Sequence, residues 1–163
     1  MTELDEVIAH NNRWAGQRTA ADRPAPPGRR LAVLTCMDAR IDPAAAFGLA
    51  EGDAHVIRNA GGAASEDALR SLVVSQRLLG TREIAVVHHT RCGMLGLDEA
   101  ALKESLEAET GVRPSWALDG FADLDADVRQ TVARLRACPW LDTTAARGFV
   151  YQVDDGRLRE VDL

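Results

Sequence analysis

Short apolar runs alternate with amphipathic segments along most of the chain. Four runs of five or six residues, rich in aliphatic side chains, have the pattern of strands buried in a parallel sheet: 31–36, 54–58, 83–88 and 148–153. Between them, apolar residues recur at the spacing of a helix that covers a core with one face. This alternation predicts a single α/β domain with a mainly parallel central sheet flanked by helices.

Capping residues mark where these helices begin and end. Ser65 precedes two acidic residues and a stripe of leucine and valine, and Gly80 follows the stripe, so we predict a helix between them. Asp98 and Gly111 bracket a second helix in the same way, and a third helix ends before Pro139. Helices that connect successive strands indicate parallel pairing.

The two ends of the chain differ from the middle. Leu4, Val7 and Ile8 form the apolar stripe of a first helix, and the proline-rich segment after it has to be extended. We therefore divide the domain, 1–163, into an N-terminal helical arm (1–22), a connector (23–30) and an α/β core (31–163). At the other end, Asp-Gly at 155–156 predicts a two-residue hairpin turn and an antiparallel edge strand at the C-terminus.

Composition narrows the class of protein. The chain has 163 residues, of which 46% are apolar and 27% charged, as in ordinary globular domains. Its net charge of −6 makes nucleic acid an unexpected partner. No apolar run approaches the roughly 18 residues of a membrane span, so we expect a cytoplasmic protein without a membrane partner. The three cysteines are an odd number and widely spread, which argues against a disulfide framework.

Metal-binding side chains follow two of the predicted strands. Cys36 ends the first strand, and in an extended chain Asp38 and Arg40 would project to the same side as Cys36. His89 ends the third strand, three residues before Cys92, a spacing that lets both bind one ion. Sites in such sheets lie beyond the carboxyl ends of strands, so the two groups meet if these strands are neighbours. Two thiolates and one imidazole favour zinc and leave a fourth position open, as in catalytic sites.

Other interpretations of these residues remain open at this stage. A buried strand-end cysteine or a single His-x-x-Cys is commonly structural, and Asp38 with Arg40 is by itself an ordinary ion pair. A noncatalytic zinc module, in which Asp38 completes the coordination, is one alternative. A dinucleotide-binding oxidoreductase is disfavoured, because Thr-Cys-Met-Asp stands where that fold needs its glycine-rich loop.

Taken together, Cys-x-Asp-x-Arg and the later His-x-x-Cys-Gly resemble the β-class carbonic anhydrases, particularly their compact branch. The resemblance extends through Arg-Asn-Ala-Gly-Gly at 58–62 and the segment 88–94. It implies a zinc-dependent carbonate dehydratase, which hydrates carbon dioxide reversibly to bicarbonate and a proton by attack of a zinc-bound hydroxide. The implied ligands are Cys36, His89 and Cys92.

The resemblance assigns further roles as well. It implies that Asp38, paired with Arg40, orients the hydroxide and that Gly93 offers its backbone amide to a substrate oxygen. It also implies a homodimer or larger homo-oligomer, in which the first helix extends onto the partner subunit. Val33 stands where some relatives have a tryptophan that lines a second bicarbonate pocket, so inhibition through that pocket is not expected. Carbonyl sulfide and carbon disulfide remain alternative substrates for the same chemistry.

Overall fold

The computed structural model describes residues 2–18 and 24–163. The helices are α1 (Glu3–Gln17), α2 (Pro43–Phe47), α3 (Glu66–Arg77), α4 (Glu99–Thr110) and α5 (Leu124–Arg136). The strands are β1 (Leu31–Cys36), β2 (Ala54–Asn59), β3 (Glu83–His89), β4 (Ala146–Tyr151) and β5 (Leu158–Val161). The predicted α/β domain is thus confirmed. Part of the predicted arm and connector, residues 1 and 19–23, lies outside the described residues.

One five-stranded sheet organises the fold. Its strand order is β2-β1-β3-β4-β5, with parallel pairing from β2 to β4 and an antiparallel β5 at the edge. The condition on which the predicted metal site depended, that the first and third strands be neighbours, is therefore met. Both strands run through the middle of the sheet, and β1 is almost completely buried. Their carboxyl ends consequently lie side by side, inside the protein.

Two helices pack on the same face of this sheet. Leu72 of α3 and Leu135 of α5 share one buried cluster with Leu34 and Ile84 of the central strands. Gly148 lets α5 approach β4 closely, because a β carbon there would lie 2.4 Å from a methyl group of Val128. The caps predicted for α3 and α4 are present, since the Ser65 and Asp98 side chains accept hydrogen bonds from the first turns. Helical periodicity and capping therefore predicted these elements well.

Two local predictions were wrong. The final hairpin has a four-residue loop, 153–156. The Gln152 amide donates to the Arg157 carbonyl, and the Gly156 amide donates to the Gln152 carbonyl. Asp-Gly lies late in this loop and does not form a two-residue turn. In addition, β4 begins at Ala146, two residues earlier than predicted.

Helix α1 lies apart from the core. Its apolar side chains Leu4, Val7 and Ile8 are all more than half exposed, and the helix has no buried residue. Its Thr2 cap and acidic first turn explain why it begins at Glu3. Within the described part of the chain, no helix has both the length and the apolar composition needed to cross a membrane.

Candidate metal centre

Three potential metal donors meet at the adjoining ends of β1 and β3. Cys36 is the last residue of β1, His89 is the last residue of β3, and Cys92 follows after one turn. Their donor atoms all lie within 4.8 Å of one another, and the two sulfur atoms are 4.0 Å apart. All three side chains are buried. The convergence expected from the sequence is therefore present.

The imidazole of His89 is oriented as a ligand. Its Nδ1 lies 2.9 Å from the carbonyl oxygen of Thr90, which places the ring proton on that nitrogen as the donor. Its Nε2 is buried and has no hydrogen-bond partner among the described residues. A buried nitrogen without a partner is costly unless something else satisfies it. Metal-bound histidines commonly have this arrangement, with the second nitrogen held by a carbonyl.

The two thiols share one hydrogen bond. Donation from Cys92 lowers the pKa of Cys36, while the same contact, together with burial, raises the pKa of Cys92. Backbone amides of Asp38 and Gly61 also lower the pKa of Cys36, and the amide of Met94 acts on Cys92 in the same direction. These amides would equally stabilise two thiolates bound to a cation.

The donor set fits zinc. Tetrahedral Zn²⁺ with bonds of about 2.3 Å to sulfur and about 2.0 Å to nitrogen places its ligands roughly 3.5–4 Å apart. The spacing of the three donors is close to that, so a small inward movement suffices. Cys138, the third cysteine, is instead buried in the core cluster beside Leu135 and Leu141, as expected for a structural residue.

The Asp38 carboxylate lies beside these donors and is held by Arg40. Nε of Arg40 donates to Oδ1 of Asp38 at 2.8 Å, and Nη2 donates to Oδ2 at 2.6 Å. The same oxygen, Oδ2, is 3.8 Å from Nε2 of His89, so the carboxylate lies between Arg40 and the donors. The side-chain hydrogen bond from Arg40 holds the pKa of Asp38 well below its usual range. The carboxylate is therefore ionised and can only accept hydrogen bonds.

A turn, not an extended segment, brings Asp38 and Arg40 together. The strand ends at Cys36, and the Asp38 side chain accepts from the Arg40 amide at 2.9 Å, while its carbonyl accepts from Ile41. The extended geometry predicted for 36–40 is therefore wrong, although the proximity of the side chains is correct. An aspartate side chain that bonds the backbone two residues later favours such turns.

Arg58 is a residue of this site whose role the sequence did not reveal. It lies on β2, beside β1, and its guanidinium donates to the carbonyl oxygens of Cys36 and Asp38 at 2.9 Å and 2.7 Å. These bonds fix the backbone on both sides of Met37. The pairing of Thr35 with Arg58 in the sheet explains this reach, and only the register of β1 with β2 would have indicated it.

The glycine pair after β2 lets another backbone segment approach Cys36. Gly62 has a φ of +73°, and a β carbon there would lie 3.1 Å from the Cys36 nitrogen. The Gly62 carbonyl faces Nε2 of His88 at 3.3 Å, and Nδ1 of His88 lies 2.9 Å from the Asp127 carboxylate. Nε2 of His88 thus faces a carbonyl oxygen, whereas Nδ1 lies near a carboxylate without a hydrogen bond to it, and the ring lies outside the three-donor group.

Gly93 and several apolar side chains complete the surroundings. Within the described residues the Gly93 amide has no acceptor, and the space beside its α carbon is open. Ile41, Phe47 and Tyr151 pack around the two thiols, and the rings of Phe47 and Tyr151 meet edge to face with centroids 6.4 Å apart. A buried donor group therefore has a charged pair on one side and apolar side chains on another.

Comparison with known proteins agrees with this site. The family model described as carbonic anhydrase matches residues 31–158. The chain is 44% identical to β-carbonic anhydrase 1 of Mycobacterium tuberculosis over 99% of both chains. A crystal structure of the carbonic anhydrase from Streptococcus mutans superposes with a TM-score of 0.93, at 40% identity and 99% coverage of both chains. A carbon disulfide hydrolase of Acidithiobacillus thiooxidans is 31% identical, over 96% of this chain and 88% of that protein.

The fold and the donor set define a zinc enzyme built on a parallel α/β sheet. The family match and the full-length relatives both identify which family of zinc enzymes this is. It belongs to the β class of the carbonic anhydrases.

Proposed function

We propose that this protein catalyses the reversible hydration of carbon dioxide, with Cys36, His89 and Cys92 as the ligands of its zinc ion. The observation that carries the proposal is the meeting of these donors with the Asp38–Arg40 pair, 3.8 Å from His89. The full-length identity of 44% to a β-carbonic anhydrase supports the same activity. Bound zinc supplies a Lewis acid that makes water nucleophilic near neutral pH.

Asp38 and Arg40 act as the positioning pair of the reaction. The ionised carboxylate of Asp38 accepts a hydrogen bond from the attacking water and so directs a lone pair of its oxygen towards carbon dioxide. Arg40 holds both carboxylate oxygens, which keeps Asp38 from becoming a fourth protein ligand. This pairing disfavours the noncatalytic zinc module.

The remaining surroundings suit the substrate. Carbon dioxide has no charge and no hydrogen-bond donor, so the apolar residues Ile41, Phe47 and Tyr151 cost it little desolvation. The free amide of Gly93 donates to a substrate oxygen, where negative charge grows as bicarbonate forms. Carbon disulfide and carbonyl sulfide are also linear and uncharged. At full length, the identity of 31% to a carbon disulfide hydrolase favours carbon disulfide less than the identity of 44% to a β-carbonic anhydrase favours carbon dioxide.

Zinc analysis and stopped-flow hydration of carbon dioxide on the purified protein test this function. We expect about one zinc per chain and rapid hydration, with much slower turnover of carbon disulfide and carbonyl sulfide. Cys36→Ser should lose both zinc and activity. Cys138→Ser is the matched control, because that thiol is also buried but lies outside the donor group. A protein that binds zinc but leaves the uncatalysed hydration rate unchanged would refute the proposed activity.

We further propose that the protein is a homodimer or larger homo-oligomer in which α1 packs on the partner subunit. The exposed stripe of Leu4, Val7 and Ile8 supports this, because such a stripe is costly in water without a covering surface. Light scattering on the wild type and on the Val7→Asp, Ile8→Asp double variant tests it. A wild-type monomer, or a variant of unchanged mass, would contradict this assembly.

A cytoplasmic location is also proposed. Cys36 and Cys92 have to remain unbridged to serve as zinc ligands, and a reducing compartment protects two thiols only 4.0 Å apart from oxidation to a disulfide. Fractionation of cells that produce the protein tests this location, and recovery outside the cytoplasm would exclude it.

A further inference from the structure

Arg91 has an unusual backbone conformation in the turn that joins two of the metal donors. Its φ is +55°, in the left-handed region, which residues other than glycine, asparagine and aspartate seldom adopt. Its guanidinium pairs with Asp154, but both side chains are more than half exposed. An ion pair exposed to this extent contributes little to stability. The conformation therefore calls for another explanation.

The left-handed backbone turns the Arg91 carbonyl towards Arg40. Nη2 of Arg40 donates to that oxygen at 2.9 Å and to the Asp38 carboxylate at 2.6 Å. The guanidinium is thus held from two directions, by a carboxylate and by a backbone carbonyl. The carbonyl bond fixes the plane of the guanidinium, on which bidentate pairing with Asp38 depends.

Two further hydrogen bonds hold this turn on the sheet. The Thr90 amide donates to the Tyr151 carbonyl at 3.0 Å, and the Thr90 hydroxyl accepts from the Val153 amide at 3.1 Å. The turn is therefore tied to the end of β4 and to the loop after it. The Arg91 carbonyl thus has a position set by the sheet and independent of the Arg40 side chain.

We infer that the left-handed backbone at Arg91 is a positioning element that keeps Asp38 away from the metal donors by anchoring Arg40. The inference rests on the proposed function. Oδ2 of Asp38 is already at the spacing of two ligands from Nε2 of His89, at 3.8 Å, but Asp38 does not lie within 4.8 Å of all three donors; an unanchored carboxylate would only have to shift towards the thiols to join them. The backbone carries this role, and the Arg91 side chain does not.

Substitutions at position 91 that differ in their tolerance of positive φ test the inference. Arg91→Gly and Arg91→Asn keep the left-handed backbone accessible, while Arg91→Val, which is branched at the β carbon, opposes it. We expect kcat/KM to fall less than threefold in the first two and at least tenfold in Arg91→Val. Asp154→Asn removes the ion pair but not the carbonyl, and should stay within twofold of the wild type.

A second measurement reports on the anchoring of Arg40 directly and needs no metal. In the zinc-free protein, the Nε proton of Arg40 is donated to Asp38 and should exchange slowly with solvent. Its NMR signal can be assigned by its disappearance in Arg40→Lys. We expect slow exchange in the wild type, Arg91→Gly and Arg91→Asn, and at least tenfold faster exchange in Arg91→Val. If Arg91→Val does not fold, Arg91→Ala takes its place, with a smaller effect in the same direction.

Two outcomes would overturn the inference. Equal losses in Arg91→Gly, Arg91→Asn and Arg91→Val would assign the role to the side chain. Unchanged kcat/KM and unchanged proton exchange in Arg91→Val would show that the carbonyl anchors nothing. Should the wild type prove unable to hydrate carbon dioxide, the proposed function would fall, while the exchange measurement would still decide whether residue 91 anchors Arg40.

Discussion

The carboxylate of Asp38 lies 3.8 Å from the Nε2 atom of His89, and Arg40 binds both carboxylate oxygens. Asp38 therefore lies beside the donors and is held by one residue, Arg40, whose guanidinium binds both oxygens and whose backbone amide donates to Oδ1. Under the proposed function, the balance between Asp38 bound to Arg40 and Asp38 bound to the metal would decide whether zinc held by the three donors keeps a position open for water.

Without Arg40, Asp38 should become a fourth zinc ligand, so that zinc stays bound but water is excluded. We expect Arg40→Ala to retain zinc and to lose about a hundredfold in kcat/KM, the magnitude typical of a lost electrostatic contact in an active site. Lysine should restore little, because it cannot pair with both oxygens in one plane. Stopped-flow hydration and zinc analysis measure the two effects. Arg70→Ala is the control, since Arg70 makes a similar ion pair with Asp67 on the exposed surface of α3. An Arg40→Ala enzyme with the kcat/KM of the wild type would contradict the role of Arg40.

The adjacent histidines should respond differently to substitution. His89→Ala should lose zinc, because its Nε2 faces the thiols. His88→Ala should keep about one zinc per chain and lose about 1–3 kcal/mol of stability, since it leaves the carbonyl of the buried Gly62 without its donor. Metal analysis after dialysis and denaturant unfolding measure these effects. Zinc loss in His88→Ala alone would reverse the assignment.

Gly62 should tolerate no side chain. In Gly62→Ala the positive φ costs about 1–2 kcal/mol, and crowding against the Cys36 backbone adds about 1–3 kcal/mol. Gly80→Ala is the control, because Gly80 also has a positive φ but nothing within 4 Å. Thermal unfolding and zinc affinity distinguish the variants, and equal stability of the two would mean that the approach to Cys36 is not tight.

The ion pair of Asp125 with Arg159 should make stability depend on pH. Arg159 lowers the pKa of Asp125 and ties α5 to β5. A lowered folded-state pKa gives stabilisation that is full above the unfolded value, near 4, and is lost as pH falls through the folded value. The stability difference between wild type and Asp125→Asn should thus be constant from pH 5 to 8, at roughly 0.5 kcal/mol, and shrink in acid. Urea unfolding across this range measures it, and a difference that grows in acid would contradict the pairing.

The sequence predicted the sheet and the three donors because both depend on strong local signals. The buried strands are short, continuous apolar runs, and Cys36 and His89 each end one strand. The general rule that sites form beyond the carboxyl ends of parallel strands then predicted that these distant residues lie close together.

What the sequence could not predict depends on contacts between distant segments. Arg58 reaches the Cys36 carbonyl only because β2 and β1 pair in one register, and Asp127 meets His88 from a helix that follows much later. The left-handed backbone of Arg91 could not be predicted either, since arginine has no preference for positive φ. The turn after Cys36 and the final hairpin were mispredicted because side-chain and backbone hydrogen bonds there override the simple patterns.

The donors on β1 and beyond β3 are separated by 56 residues from Cys36 to Cys92. Of these three donors, only His89 and Cys92 are close together in an unfolded chain, and two donors bind a metal far more weakly than three preassembled ones. Zinc capture during synthesis must therefore wait until β3 has docked beside β1. Once bound, the ion stabilises the folded state over the unfolded state, and chelators should speed unfolding by removing it.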